Sequence, residues 1–313
     1  MRERFEYASA WMLLKFLGCL PRRVARAIGV LVAKGLFSIR PPLQRAAEFN
    51  LRLAFPELPK CARSEILKGM VRNLGWMAAE FARLPRYTRS NIEKAIILDG
   101  LENFAAAQRA GKGVLFLTGH MGAWELAPFT HALYSGPIHF FVRPIDNSRV
   151  DALVNRYRCA SGNLPIKKNE SARVALRILH DGGVIGVLAD QNTVPAEAVF
   201  ADFFGIPAAT SSGIARLARR TGAAVVPAYT YWDPHIGKYR LRYEPALELG
   251  VSNDEQSDIR NYSVRFNRVI EDYVRRFPDQ WVWVHRRWKT RPANESAIYP
   301  DEKRELAKPA RGN

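Results

Sequence analysis

Residues 113–125 read GVLFLTGHMGAWE. Val114 to Leu117 is a short apolar run between glycines, the pattern of a buried strand. A helix is expected to begin near Gly122. A strand that enters a Gly-bounded turn and leaves as a helix is the repeating unit of an α/β protein, and open α/β sheets place their sites at strand C-terminal ends. His120 occupies that turn. Within one regular helix His120 and Glu125 would lie about 140° apart and share no face. With His120 in the turn and Glu125 in the first helical turn, the two can meet. Glu125 would then accept a proton from one ring nitrogen and fix the tautomer, while the other nitrogen takes a proton from a substrate hydroxyl. The helix N-terminus beside them favours negative charge on a substrate or a developing oxyanion. The plain structural reading is a turn histidine with a solvent-facing glutamate, and the pair alone does not choose between the two.

Outward from this stretch, β-type runs alternate with helical ones from about residue 95. AIIL, GVLFLT, IHFFV, GVIGVLA, AAVVPAYTYW and KYRLRYEP read as strands, with LENFAAAQRA, GAWELAPFTHALY, NSRVDALVNRYRCA, SARVALRILHD and SGIARLARRTG as helices between them. The expected fold class is α/β, a mixed, mainly parallel sheet flanked by helices. Residues 1–90 read as helical, with Ser64 a possible N-cap. DIRNYSVRFNRVIEDYVRRFP is a late helix, and a loose polar tail is expected from Arg291. The organisation expected is an N-terminal attachment over 1–40, one domain over 41–290 and the tail over 291–313.

The N-terminal attachment contains two apolar runs, ASAWMLLKFLGCL and VARAIGVLVAKGLFSI. Lys15, Arg26 and Lys34 interrupt them, so neither offers the roughly 20 uncharged apolar residues of a simple span. They read either as core helices or as helices lying in a bilayer interface. The flanking Lys and Arg favour membrane-associating helices at an anionic cytoplasmic membrane face.

The 313 residues carry 47 Lys and Arg against 30 Asp and Glu, a formal charge of +17, with 48% hydrophobic residues. That excludes a disordered chain, a collagen-like chain and a polytopic membrane protein. It predicts attraction to something acidic, whether nucleic acid, anionic lipid or an acidic protein. Cys19, Cys61 and Cys159 are far apart, which argues against a disulfide framework and for a reducing compartment; they read as small buried hydrophobes. There is no GxSxG elbow, no GxxxxGK loop, no HExxH and no metal-ligand spacing. No cofactor and no metal are expected. A histidine base without a protein nucleophile implies direct transfer, an activated hydroxyl attacking an activated acyl group.

His, four residues, then Glu after an apolar strand resembles the signature shared by glycerolipid and lipid A acyltransferases. In order along the chain follow FVRPIDNSRVDALVNRYRCASG, LHDGGVIGVLADQN, VFADFFGIPAATSSGIARLARRTGAAVVPAYTY and PDQWVWVHRRWKTRP. Over roughly residues 1–290 this set is similar to the late acyltransferases of lipid A biosynthesis, the lauroyl- and myristoyl-transferring type. The resemblance implies a glycerolipid acyltransferase-like fold, an acyl-carrier-protein thioester as donor, and a Kdo-bearing, phosphorylated glycolipid as acceptor. It implies His120 as base and Glu125 as its partner. Arg143, Asp190 and Gln191 fall on blocks that line the family's site, and Phe203, Phe204 and Gly205 on the block after them.

These residues suit such roles. Arg143 follows a strand and can bind a phosphate or carboxylate bidentately, or else pair with Asp146 or Asp190. Asp190 ends a strand and can orient Arg143 or a hydroxyl, or cap a turn. Gly205 allows close backbone approach beside an acyl groove, whereas Phe203 and Phe204 read mainly as core; Thr210-Ser211-Ser212 reads as an N-cap. Trp281, Trp283 and Trp288 with Arg286 and Arg287 form either an interfacial belt with phosphate-binding arginines or a strap packed on the core, and His285 reads as structural. The localisation expected is the cytoplasmic face of the inner membrane. Two other readings remain open: the same chemistry on another membrane lipid, such as a phosphatidylinositol mannoside, and a basic nucleic-acid-binding or membrane scaffold protein. No nucleic-acid module is recognisable, so nucleic acid is not an expected partner.

Overall fold

The computed structural model describes residues 1–167 and 171–299. Four helices come first: α1 (Arg2–Cys19), α2 (Arg22–Ser38), α3 (Pro41–Ala54) and α4 (Lys60–Arg83). Then follow β1 (Ile96–Asp99), α5 (Leu101–Arg109), β2 (Val114–Thr118), α6 (Leu126–Ser135), β3 (His139–Val142), α7 (Ser148–Arg158), β4 (Leu164–Lys167), α8 (Ser171–His180) and β5 (Val184–Leu188). The last part holds β6 (Ala198–Phe203), β7 (Ile206–Ser211), α9 (Gly213–Thr221), β8 (Ala224–Asp233), β9 (Lys238–Tyr243) and α10 (Glu255–Arg276).

Seven strands form one sheet in the order β1-β9-β8-β2-β5-β3-β4. Neighbours in it are parallel except β8 and β9. The expected mixed, mainly parallel sheet is therefore present, with β2 at its centre. β4 is not among the strands the sequence predicts, and β6 and β7 form a separate antiparallel hairpin where the sequence predicts an acyl groove at Phe203–Gly205 and an N-cap at Thr210–Ser212. Alternation along β2 divides the core: Leu115 and Leu117 pack into one hydrophobic layer with the hairpin and α10, and Val114 and Phe116 into another beneath α5 and α6. Both faces are covered, which is why these strands read as continuous apolar runs.

The N-terminal helices pack on this body. At the crossing of α2 and α4, a Cβ on Gly29 would lie 2.3 Å from the Gly75 carbonyl oxygen, so glycine is what lets the two backbones touch. Arg26, one of the charges interrupting the apolar runs, is 8% exposed and donates from Nε to Glu80 at 2.8 Å. Arg22 donates to the same carboxylate, also at 2.8 Å. Those two charges are therefore held inward. The outward side of α1 leaves Phe5, Trp11, Met12, Leu13 and Phe16 exposed, and α2 leaves Val24, Leu31 and Leu36 exposed. Among the described residues, no helix is long and apolar enough to cross a membrane.

Several local expectations change. The helix expected at Gly122 begins at Leu126, because 121–125 pair and turn against the strap near Trp281. Ser64 lies inside α4 rather than capping it. Ser212 precedes α9, but its hydroxyl donates to the Glu197 carbonyl and does not cap the helix. Cys19 and Cys61 are exposed and Cys159 half-buried, so the cysteines are not core residues. Of the tail expected from Arg291, residues 300–313 lie outside the described residues. Tyr299 packs on the core and donates from its hydroxyl to Asn50 Oδ1 at 2.6 Å.

Candidate active site

β2 delivers the chain to Gly119 and His120, and the loop that follows is clamped. Val282 N–H donates to the His120 carbonyl at 3.2 Å and Gly122 N–H to the Gln280 carbonyl at 3.0 Å. Asn73 of α4 donates from its amide to the Gly122 carbonyl at 3.1 Å. Gly122 has φ 56°, and a Cβ there would lie 2.1 Å from the Thr230 carbonyl oxygen. Positive φ and close approach both require glycine at this point.

His120 Nδ1 lies 2.8 Å from Asp190 Oδ1. Asp190 Oδ2 accepts from the His120 backbone N–H at 2.8 Å and from Trp281 Nε1 at 2.7 Å. The carboxylate on the imidazole is thus Asp190, at the end of β5, and not Glu125. β5 is the parallel neighbour of β2, so 70 residues of separation collapse to one strand spacing. Burial raises the Asp190 carboxyl, but the charge and hydrogen bonds of His120 outweigh it and bring it down to about 2. Burial likewise lowers the His120 imidazolium. The charge and hydrogen bond of Asp190, with a smaller contribution from Glu125, outweigh that and hold it above the ordinary histidine value. An imidazole whose Nδ1–H is fixed on a buried carboxylate has Nε2 as its basic atom.

Glu125, at the N-cap of α6, pairs instead with Arg158 at the end of α7. Arg158 Nε reaches Oε1 at 3.1 Å and Oε2 at 2.9 Å. His120, Glu125, Arg158, Trp124, Gln191 and Arg143 all line one cavity of about 420 Å³. Its remaining wall is largely hydrocarbon and aromatic, from β2, β3, β5, β8, β9 and α6. Arg143 stands exposed in this wall, paired with neither Asp146 nor Asp190. The Gln191 amide nitrogen lies 3.3 Å from each ring nitrogen of His120.

Three sequence candidates lie elsewhere. Gly205 forms the β6–β7 turn with Phe204, both at positive φ, and does not line the cavity. Arg287 is fully buried and donates to the Ala209 carbonyl and the Thr210 hydroxyl, each at 2.7 Å. Burial lowers its guanidinium to about 10. It braces the hairpin and is closed to a phosphate. Arg286 sits outside the cavity wall, its guanidinium 5.6 Å from the Tyr299 ring centroid. Trp281, Trp283 and Trp288 are each at most 1% exposed, so the tryptophans form a buried strap and not an interfacial belt. The strap has a site function all the same, since Trp281 holds Asp190. Arg158 was missed because no local pattern ties it to Glu125, 33 residues earlier. Trp281 could have been found, since a buried indole N–H needs an acceptor.

Among the described residues no group of His, Cys, Asp and Glu is arranged to hold a metal ion. The site offers a base braced by a carboxylate, a cation held by a second carboxylate, and a hydrocarbon-lined cavity meeting both.

Comparison with known proteins gives this chemistry its setting. Residues 3–290 match the model of the bacterial lipid A biosynthesis acyltransferase family. A lipid A biosynthesis palmitoleoyltransferase of Escherichia coli (strain K12) is 30% identical over 264 residues, 83% of this chain and 84% of that protein. The lauroyltransferase of the same strain is 26% identical over 290 residues, 92% of each chain. Its myristoyltransferase is 26% identical over 263 residues, 84% of this chain and 80% of that protein. The chain belongs to the bacterial lipid A biosynthesis acyltransferase family.

Proposed function

We propose that this protein moves a fatty acyl chain from an acyl-carrier-protein thioester to a hydroxyl of a Kdo-bearing, phosphorylated lipid A precursor. The observation that carries this reading is His120, fixed by Asp190 and Trp281, in the wall of a cavity lined mainly by hydrocarbon. The cavity suits an acyl chain, and the imidazole suits a hydroxyl. His120 Nε2 takes the proton of the acceptor hydroxyl as its oxygen attacks the thioester carbonyl. The tetrahedral oxyanion forms within reach of the Arg158 guanidinium, which Glu125 holds in place. The C–S bond then breaks, and the carrier thiolate leaves with the proton returned from His120. No bond to the enzyme forms.

Arg143, exposed at the same cavity, offers a guanidinium to a phosphate of the acceptor or of the carrier's prosthetic arm. The exposed apolar side chains of α1 and α2 support attachment to the cytoplasmic face of the inner membrane without a span. The net charge of +17 supports an acidic carrier and an anionic lipid surface as partners.

The test is transfer of radiolabelled acyl chains from acyl carrier protein to a Kdo-bearing precursor, wild type beside His120→Ala. Transfer by the wild type and loss in the variant is the expected result. Transfer by both would refute the role of His120. A folded wild type that transfers no chain of any length to this acceptor would refute the substrate assignment.

A further inference from the structure

The far end of the cavity is chemically unlike its wall. The cavity runs across the strands: Val142 of β3, Leu188 of β5, Thr118 of β2, Ala228 of β8 and Tyr243 of β9 all line it. The register sets neighbours side by side, Thr118 beside Leu188 and Ala228 beside Tyr243. Four strand intervals make this path about 19 Å. Exposure falls along it, from 42% at Leu188 to 1% at His131 and 0% at Tyr243. The mouth is therefore on the β3–β5 side and the closed end on the β9 side.

At the closed end His131 Nδ1 lies 2.8 Å from the Tyr243 hydroxyl. The imidazole stands edge-on to Phe104 and Phe116, which fix its plane. Its Nε2 is buried and has no hydrogen-bond partner among the described residues. Burial lowers this histidine to about 4, so the ring is neutral at ordinary pH. A neutral imidazole engaged through one nitrogen offers a single donor or acceptor at the other. The side chains of Phe116, Ala228 and Leu241, which line the same cavity, offer none.

We propose that the closed end is a hydrogen-bonding subsite in which His131 Nε2 takes a neutral oxygen borne by the acyl chain, a chain hydroxyl. This rests on the reading of the cavity as an acyl-chain site. An alkyl terminus leaves Nε2 unpaired, whereas a hydroxyl at that depth satisfies it. The same hydroxyl against an all-hydrocarbon end would be buried without a partner, a difference of roughly ten- to hundredfold in binding. His131 is thus a specificity residue, held in orientation by Tyr243.

The experiment compares acyl-carrier-protein thioesters of increasing length, each as the plain chain and as its ω-hydroxy counterpart. The quantity read is the ratio of kcat/KM for the hydroxylated to the plain chain. In the wild type that ratio should rise at the length that reaches the closed end. It should fall at least about tenfold in His131→Phe and be largely kept in His131→Gln, which retains a hydrogen-bonding group. A ratio unchanged by His131→Phe at every length would overturn the proposal. If the wild type transfers no chain, the acyl-transfer reading fails by itself, and the subsite is tested by calorimetric binding of free dodecanoate and ω-hydroxydodecanoate. Equal affinity of the wild type for both would overturn it. Should His131→Phe not fold, nitrogen NMR of the histidines in the wild-type protein decides: a shift of the His131 Nε2 signal with ω-hydroxydodecanoate and not with dodecanoate supports the subsite, and identical spectra refute it.

Discussion

At the scale of the residue, Asp190 concentrates the most consequence. Its two oxygens hold the His120 ring, the His120 backbone and the Trp281 indole. For a histidine acting as base, activity needs the neutral ring. With the imidazolium held above the ordinary value near 6.5, kcat/KM should rise with pH through a midpoint above 6.5. Asp190→Asn removes the group that raises it, so the midpoint should move down and the limiting rate should fall by about 10²-fold or more. A pH profile of both proteins checks the direction. His120→Ala should lose about 10²- to 10⁴-fold in kcat, the span of general base catalysis. Arg158→Leu leaves Glu125 half-buried beside the site without its cation. Arg158→Leu and Glu125→Gln should each lower kcat more than they change KM, and steady-state kinetics separates these effects from lost ground-state binding.

At the scale of the element, the loop after β2 is made by its neighbours. Met121 bridges to Trp281, Val282 and Gln280 clamp the backbone, and Asn73 of α4 ties it from the other side. Gly122→Val has no room and an unfavourable φ, so it should cost about 2 kcal/mol or more, read as a lower denaturation midpoint. Gly119→Ala should cost less stability, since φ there is not positive and its Cβ would come no nearer than 3.1 Å, to Asp190 Oδ2. The outward stripe of α1 belongs to this scale too. Replacing Trp11, Met12 and Phe16 together by Ser should abolish sedimentation with anionic vesicles while leaving the fold intact, because all three are exposed.

At the scale of the whole molecule, the charge of +17 acts on encounter more than on the fold. If the carrier is acidic, raising salt from low to physiological strength should raise its KM several-fold with little change in kcat. A donor without the carrier, such as a short acyl thioester, should show no such dependence.

The sequence by itself determined the class of architecture, though neither β4 nor the β6–β7 hairpin. Strand runs separated by helical ones over residues 95–245 dictated a layered α/β sheet, because a strand buried on both faces must be apolar along its length. It also placed His120 at the end of the central strand, since a Gly-bounded turn after a buried run is a local pattern. The family resemblance pointed to acyl transfer over nearly the whole chain. What only the tertiary structure decided is which carboxylate meets the imidazole. Glu125 is nearest in sequence, but helix formation starting at Leu126 turns it toward Arg158. Asp190 arrives through strand order, which no local pattern encodes. Likewise the sequence leaves Arg287 open between a phosphate-binding arginine and a strap packed on the core, and the fold turns it inward to donate to the hairpin backbone. The physical reason is the same in each case: periodicity reports the face a side chain takes on its own element, whereas partners across a sheet depend on which strands lie side by side.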